Sequence, residues 1–334
     1  MTLKKYIIYI LLVLATTMQA QQQTLFTNIL VNQYLYNPAY AGAFKGKQFN
    51  MGYRQQWEGF DGAPKTFMLS GYGTLKKKPN MALGGLITND KSGLLQRTSF
   101  YASYSYHLKL NKNINLGFGI SIGGVQYNVK NYDARPYDAD DAFLKNNILN
   151  ANAFDANAGL YLYSKKFFFG ASSQQIANSK IYWNNTIGHL TPHIYVYTGY
   201  NFTLDKKKEW VIQPSALVRF NNPVPYQLEF NLKTIYKEQY WIGASYRLKS
   251  TASFLVGVNI NKQFGVAYAY DYSLTALQKY SSGSHEIMLS YAIAAKKAKT
   301  ASDKVQDADE EEFNNIDNSI KSNLKNKKKD EDKK

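Results

Sequence analysis

No cysteine occurs anywhere in the 334 residues, so disulfide staples, thiolate metal sites and thiol redox chemistry are excluded. Proline is sparse, at eight copies. Beyond residue 20 no apolar run approaches the roughly twenty residues that a membrane helix needs. With a mean hydropathy of −0.41, a helical membrane protein is excluded as well. The four histidines (His107, His189, His193 and His285) form no H-E-x-x-H type of ligand motif. Carboxylates are outnumbered: 24 Asp and Glu stand against 40 Lys and Arg, a net charge of +16. None of these absences touches a β-barrel, whose strands are apolar on one face only.

What the chain has in quantity is alternation. Phe100, Ala102, Tyr104, Tyr106, Leu108 and Leu110 fall on one face of a strand, with Tyr101, Ser103, Ser105, His107 and Lys109 on the other. Tyr226, Leu228, Phe230 and Leu232 oppose Gln227, Glu229, Asn231 and Lys233 in the same way. A helix would scatter these sets around its circumference. Runs of this kind from Phe49 to Ala295 predict roughly fourteen strands, the even number usual for single-chain outer-membrane barrels. Lys-bearing turns join alternate pairs: Lys76-Lys77-Lys78, Asn111-Lys112-Asn113, Ser164-Lys165-Lys166, Asp205-Lys206-Lys207-Lys208, Lys237-Glu238 and Asn261-Lys262. The other connections read as mostly longer, including 130–152 and 176–192. The fold class is therefore all-β, a transmembrane antiparallel barrel over 49–295 with the Lys turns in the periplasm. Tyr106, Phe167, Trp210 and Tyr240 lie beside those turns as an interfacial girdle. The competing fold is a soluble all-β protein such as a propeller or large sandwich.

The flanks read differently. Lys4-Lys5, an apolar core from Tyr6 to Leu14 and Met18-Gln19-Ala20 predict a signal peptide over 1–20. Residues 21–48 are polar and aromatic without alternation and form a periplasmic or lumen segment. The stretch 296–334 is a charged periplasmic tail whose composition favours disorder. Within it Phe313, Ile316, Ile320 and Leu324 recur at helical steps, which suits a helix induced by a partner. Both termini are expected in the periplasm.

Two patches go beyond pattern. Asn37-Pro38-Ala39-Tyr40-Ala41-Gly42 precedes the first strand; Arg54-Gln55-Gln56-Trp57 and Gly62-Ala63-Pro64-Lys65-Thr66 follow it. This order and spacing resembles the PorP/SprF family of outer-membrane proteins of type IX secretion. The resemblance implies a component of protein secretion and gliding motility, working either in the core apparatus or with one secreted surface adhesin, and partnered by periplasmic secretion or motor proteins. Read physically, Pro38 holds Asn37 extended and Gly42 permits a turn. Residues 24–48 are then either a structured lead-in or a segment that enters the lumen or meets a periplasmic partner. Arg54 and Trp57 fall on opposite faces of the first strand, taken as 49–57. Arg54 thus points to a lumen carboxylate and Trp57 to the outer girdle, both as structural supports.

Other candidates weaken on inspection. Asp133, Asp138, Asp140 and Asp141 cluster in the longest loop but have no EF-hand spacing, and read as solvated surface. His189 and His193 are four apart, yet Thr191-Pro192 between them argues against a helix that would pair them. Gly117-Phe118-Gly119 and Gly123-Gly124 sit inside an alternating strand with no following helix, so they are not a nucleotide loop. No local motif marks a nucleophile. The expectation is a non-enzymatic barrel with no metal or other cofactor and no nucleic-acid partner; the alternative function is a passive diffusion porin.

Overall fold

The computed structural model describes residues 26–294 except 28, 30, 44–45, 131–147, 184–185, 206, 208 and 262. The expectations for the signal peptide, the aspartate cluster and the tail lie outside the described residues. Two compact units divide at residue 295, and all that follows concerns the first.

Its strands are β1 (Gly46–Gln55), β2 (Lys65–Leu75), β3 (Lys78–Ser92), β4 (Leu95–Lys109), β5 (Asn115–Lys130), β6 (Ile148–Tyr163), β7 (Phe167–Gln174), the short β8 (Lys180–Trp183) and β9 (Thr186–His189), then β10 (His193–Tyr200), β11 (Phe202–Thr203), β12 (Trp210–Asn221), β13 (Val224–Tyr236), β14 (Tyr240–Arg247), β15 (Thr251–Ile260), β16 (Phe264–Ser273) and β17 (Ser284–Ala294). Each wall strand pairs antiparallel with its chain neighbours, and β1 closes on β17 from Gly46↔Ala294 to Gln55↔His285. β10 and β11 form one wall strand, so the barrel has fourteen. Among the described residues β8 and β9 pair only with each other. Among the described residues no helix is long and apolar enough to cross a membrane.

Alternation becomes two chemically opposite surfaces. Phe49, Met51, Leu69, Ile87, Phe100, Ile120, Phe154, Phe230, Ile242, Phe254 and Leu289 are exposed on the outside, where lipid covers them. Asn50, Ser70, Ser103, Ser121, Asn157, Asn231, Ser253 and Glu286 are buried inside. Of the four aromatics beside the Lys turns, Trp210 and Tyr240 are exposed and Tyr106 and Phe167 half-buried; the Trp210 and Tyr236 rings lie 4.5 Å apart, as do those of Tyr200 and Phe202.

Three boundaries differ from the sequence reading. β1 stops at Gln55, so Trp57 lies in the following connection at φ +47, not on the strand. β3 and β4 extend to Ser92 and Leu95, leaving only the turn Gly93-Leu94 between them. The alternation in the sequence is clear only over 81–89 and 98–110, because the added rows are polar on both faces apart from Leu95. Together with tight turns at 222–223 and 248–250, that short turn makes the length contrast between the two barrel ends weaker than expected. The third difference is a gap between β10 and β11. Ladder pairs Gly199↔Ser215 and Phe202↔Ile212 flank it, and Pro214, without an N–H to give, lies in the facing stretch. In the turn after β11, the Asp205 carboxyl accepts the Trp210 and Glu209 amide protons, which holds its pKa below the ordinary carboxylate range.

Candidate functional site: a lumen filled by the N-terminal segment

Residues 26–43 leave the Lys-turn end of the barrel at β1 and run back through the lumen. Their local shape follows from the Asn-Pro motif. Pro38 begins a 3-10 turn over Pro38–Tyr40, and Asn37, held extended at φ −142, caps it by accepting the Ala39 N–H at 2.9 Å. The Tyr40 carbonyl accepts the Ala43 N–H at 3.0 Å, with Gly42 at φ +98 between them. A second 3-10 turn, Gln33–Leu35, precedes the motif.

This segment is bonded to inward-facing groups on β1, β2, β4, β6, β7, β16 and β17, which places it inside the barrel. The Asn37 amide donates to the Leu160 carbonyl on β6 at 2.8 Å. On β7, Ser172 and Gln174 donate to the Tyr36 and Leu35 carbonyls at 2.7 and 2.8 Å. Asn32 donates to Ser70 on β2 at 3.1 Å, and Tyr34 shares a hydrogen bond with Ser103 on β4 at 2.6 Å. The Ala41 carbonyl accepts from Ser105 and, at 2.7 Å, from His107 Nε2; Nδ1 of that ring is thereby left to accept from Tyr163 at 3.1 Å. Tyr36 packs edge-on against Tyr195, and Tyr40 against Tyr72 and Tyr161.

The wall is shaped to receive the motif. A Cβ on Gly119 would collide with the Ala39 backbone, and one on Gly159 with the Asn37 side chain. Gly119 on β5 and Gly159 on β6 are thus a seat for the motif, an instance of close approach.

Near the opposite end of the lumen the segment is held by charge. Arg54 on β1 donates to Asp271 on β16 at 2.7 Å, to Glu286 on β17 at 3.0 Å and to the Thr27 hydroxyl at 3.1 Å. Thr27 in turn donates its N–H to Glu286 at 2.9 Å and its hydroxyl to Asp271 at 2.6 Å. All three ionised side chains are buried, so each depends on the others for compensation. A separate buried pair joins Arg247 on β14 to Glu229 on β13 at 2.8 Å. Between the segment and the wall near Thr88, Arg97 and Asn157 a cavity of about 50 Å³ remains, room for a few waters.

The β8–β9 hairpin covers the same end. Ile181 and Leu190 are buried against Val125, Tyr127, Ala151 and Ala153 on the inner faces of β5 and β6, and Trp183 lies 5.8 Å from Tyr127. His189 sits on β9 and His193 on β10, where His193 Nε2 pairs with Asn221 at 2.8 Å. Among the described residues no three metal-ligating side chains come together.

The sequence-selected residues therefore separate. Asn37, Pro38, Tyr40 and Gly42 are inside the barrel, and Arg54 on β1 points inward to Thr27 near the other end of the lumen. Trp57, Gly62 and Pro64 belong to the rim connection 56–64, where the Trp57 N–H donates to Ser284 Oγ at 3.1 Å. Thr27, Asp271 and Glu286 were missed. A signal existed for two of them: Asp271 interrupts the run Val266-Ala267-Tyr268-Ala269-Tyr270, and Glu286 is the lone acid in β17.

Fold and site together define the class: a transmembrane β-barrel, the architecture of bacterial outer membranes, whose lumen holds part of its own chain. Residues 18–291 match the family described as Type IX secretion system membrane protein PorP/SprF. The chain belongs to that family and is an outer-membrane component associated with secretion machinery. No curated protein matches it. Similar solved structures include the P. putida toluene transporter TodX, at 11% identity and TM-score 0.48 over 79% of this chain and 95% of that one. The monoaromatic hydrocarbon channel CymD matches at 10% and 0.48, covering 79% and 94%. The Acinetobacter baumannii outer membrane protein Omp33 matches at 8% and 0.45, covering 74% and 99%.

Proposed function

We propose that this protein is a non-catalytic component of type IX secretion and gliding motility that docks or anchors a secreted surface protein, such as an adhesin, and links it to periplasmic secretion or motor proteins. The observation that supports this over a passive porin is the lumen. A diffusion channel needs a continuous aqueous path, whereas here hydrogen bonds, stacked tyrosines and a buried ionic cluster fix residues 26–43 across it. In this reading the Lys turns, both chain termini and the charged tail face the periplasm, where cationic turns stay hydrated and meet partners. The opposite rim presents the 56–64, 175–192 and 274–283 connections to the surface protein. No cofactor and no nucleic acid enter this reading.

Two measurements on the purified full chain test it. In planar bilayers the wild type is expected to be silent. From cells, it is expected to co-purify with a large secreted polypeptide. Steady ohmic conductance by the wild type, with no secreted polypeptide retained, would establish the porin instead.

A further inference from the structure

The connection 56–64 and the turn 93–94 enclose a recess of about 520 Å³ at the barrel rim, lined by Phe60, Asp61, Lys65, Lys91 and Leu94 among others. It is built by the Gly62-Ala63-Pro64-Lys65 patch, which the lumen does not use. Gly62, at φ +69, accepts the Gly93 N–H on its carbonyl at 2.9 Å, and a Cβ there would come within 3.3 Å of Gly93 Cα. Close apposition of two glycines ties connection to turn and leaves the recess beside them.

We propose that this recess binds the phosphorylated sugar headgroup of an outer-leaflet glycolipid. The proposal rests on the orientation given above, in which this rim faces the cell exterior. Height is the first argument. Lys65 and Lys91 are opposite each other in the β2–β3 ladder and exposed on the lipid-facing side. Phe67 is two residues below Lys65 on the same face and Ile87 four below Lys91, so the ammonium groups stand roughly 7–14 Å above the apolar band, at headgroup level. Charge is the second. Among the described residues neither lysine has an ion pair, while the connection's other acid, Glu58, turns away to His285 at 2.9 Å. That leaves two cations and the single carboxylate of Asp61 in the recess, a balance that favours a phosphate. Neighbouring chemistry is the third argument, and it selects a sugar-bearing lipid over a simple phospholipid. Beside Lys91 the outward face of the extended strands carries Asn89, Gln96, Thr98, Gln126 and Asn152 in place of apolar residues. Amides and hydroxyls on a flat pleated face suit sugar hydroxyls, and they begin where hydrocarbon ends.

The test uses the detergent-purified full chain and lipid A as the probe, with native mass spectrometry to read occupancy across a titration. Phosphorylated lipid A is expected to bind, and Lys65→Gln with Lys91→Gln to weaken it about tenfold, the scale of two charge-assisted contacts partly screened by water. Removing the lipid phosphates should weaken binding about as much. Asp61→Asn should tighten it, an opposite response that a merely misfolded rim cannot give. Equal binding by the double lysine variant, or equal binding of phosphatidylglycerol, would overturn the proposal. Labelling Ser92→Cys on intact cells separates the two readings. Reaction from outside together with phosphate-independent binding sinks the glycolipid site alone, whereas reaction only after permeabilisation sinks the orientation and the site with it.

Discussion

Arg54 carries more of the architecture than any other side chain named above, because its guanidinium neutralises two carboxylates that have no water to turn to. Arg54→Ala takes the Arg54 charge away from Asp271 and Glu286 while both stay buried, a loss of about 3–5 kcal/mol by analogy with broken buried pairs. The expected outcome is a lower thermal midpoint in detergent and new protease sensitivity near Thr27. Arg54→Lys retains the charge but cannot reach Asp271, Glu286 and Thr27 from one planar fork, so it should fall between. At Gly119 the issue is space. Gly119→Leu drives a side chain into the Ala39 backbone, and the cost, about 1–3 kcal/mol for overpacking, falls on the seated segment while the strand ladder stays paired. Rising bilayer conductance with an unchanged β spectrum would verify that. No fixed spacing in the sequence announces this partnership, since Thr27 and Glu286 are 259 positions apart. What could be read was the oddity of an acid within a greasy alternating run.

At the scale of elements, the lumen segment and the β8–β9 hairpin make separate predictions. Deleting residues 24–36 removes the contacts to β2, β4 and β7 through Asn32, Tyr34 and Leu35, and with them one side of the lumen filling. Conductance should appear in bilayers, and unchanged silence would show that those residues close nothing. Ile181→Asp places a carboxylate among Val125, Tyr127, Ala151 and Ala153, where no partner awaits it. The hairpin should lift from the wall, seen as a red shift and stronger quenching of Trp183 fluorescence after the other three tryptophans are replaced by Phe. A strand with a clean apolar face, such as β13 with Tyr226, Leu228, Phe230 and Leu232, was legible from its alternation. The upper ends of β3 and β4 were not, because both their faces are polar and alternation there has no contrast to display. The 3-10 turn at Pro38 was foreshadowed by Asn-Pro, but its destination was invisible: the glycines that receive it are on β5 and β6.

For the whole molecule, the separation of an apolar exterior from a polar interior fixes the barrel, and the sequence showed this because a two-residue period needs no tertiary knowledge. The content of the interior is a different matter. It depends on which inward residues reach a common height, and that is set by strand register, a quantity with no local signature. Register also exposes the weakest part of the wall. β1 and β17 are joined by an unbroken ladder from end to end, whereas the β10–β12 ladder is interrupted opposite Pro214. Pro214→Val supplies the missing amide and should raise the unfolding temperature by a few degrees, equivalent to about 1 kcal/mol. No change would mean that the interruption has some other origin.

The unbroken β1–β17 ladder has a consequence for biogenesis. β1 begins only a few residues after the seated motif, which ties placement of the segment to closure of that ladder. The order we expect is co-assembly, in which segment and wall come together while a side is still open and Ala39 and Asn37 act as an inner mandrel around which β5 and β6 settle. A peptide spanning residues 24–43 should therefore rescue a truncated chain when the two are present during assembly, and fail when added to the finished protein.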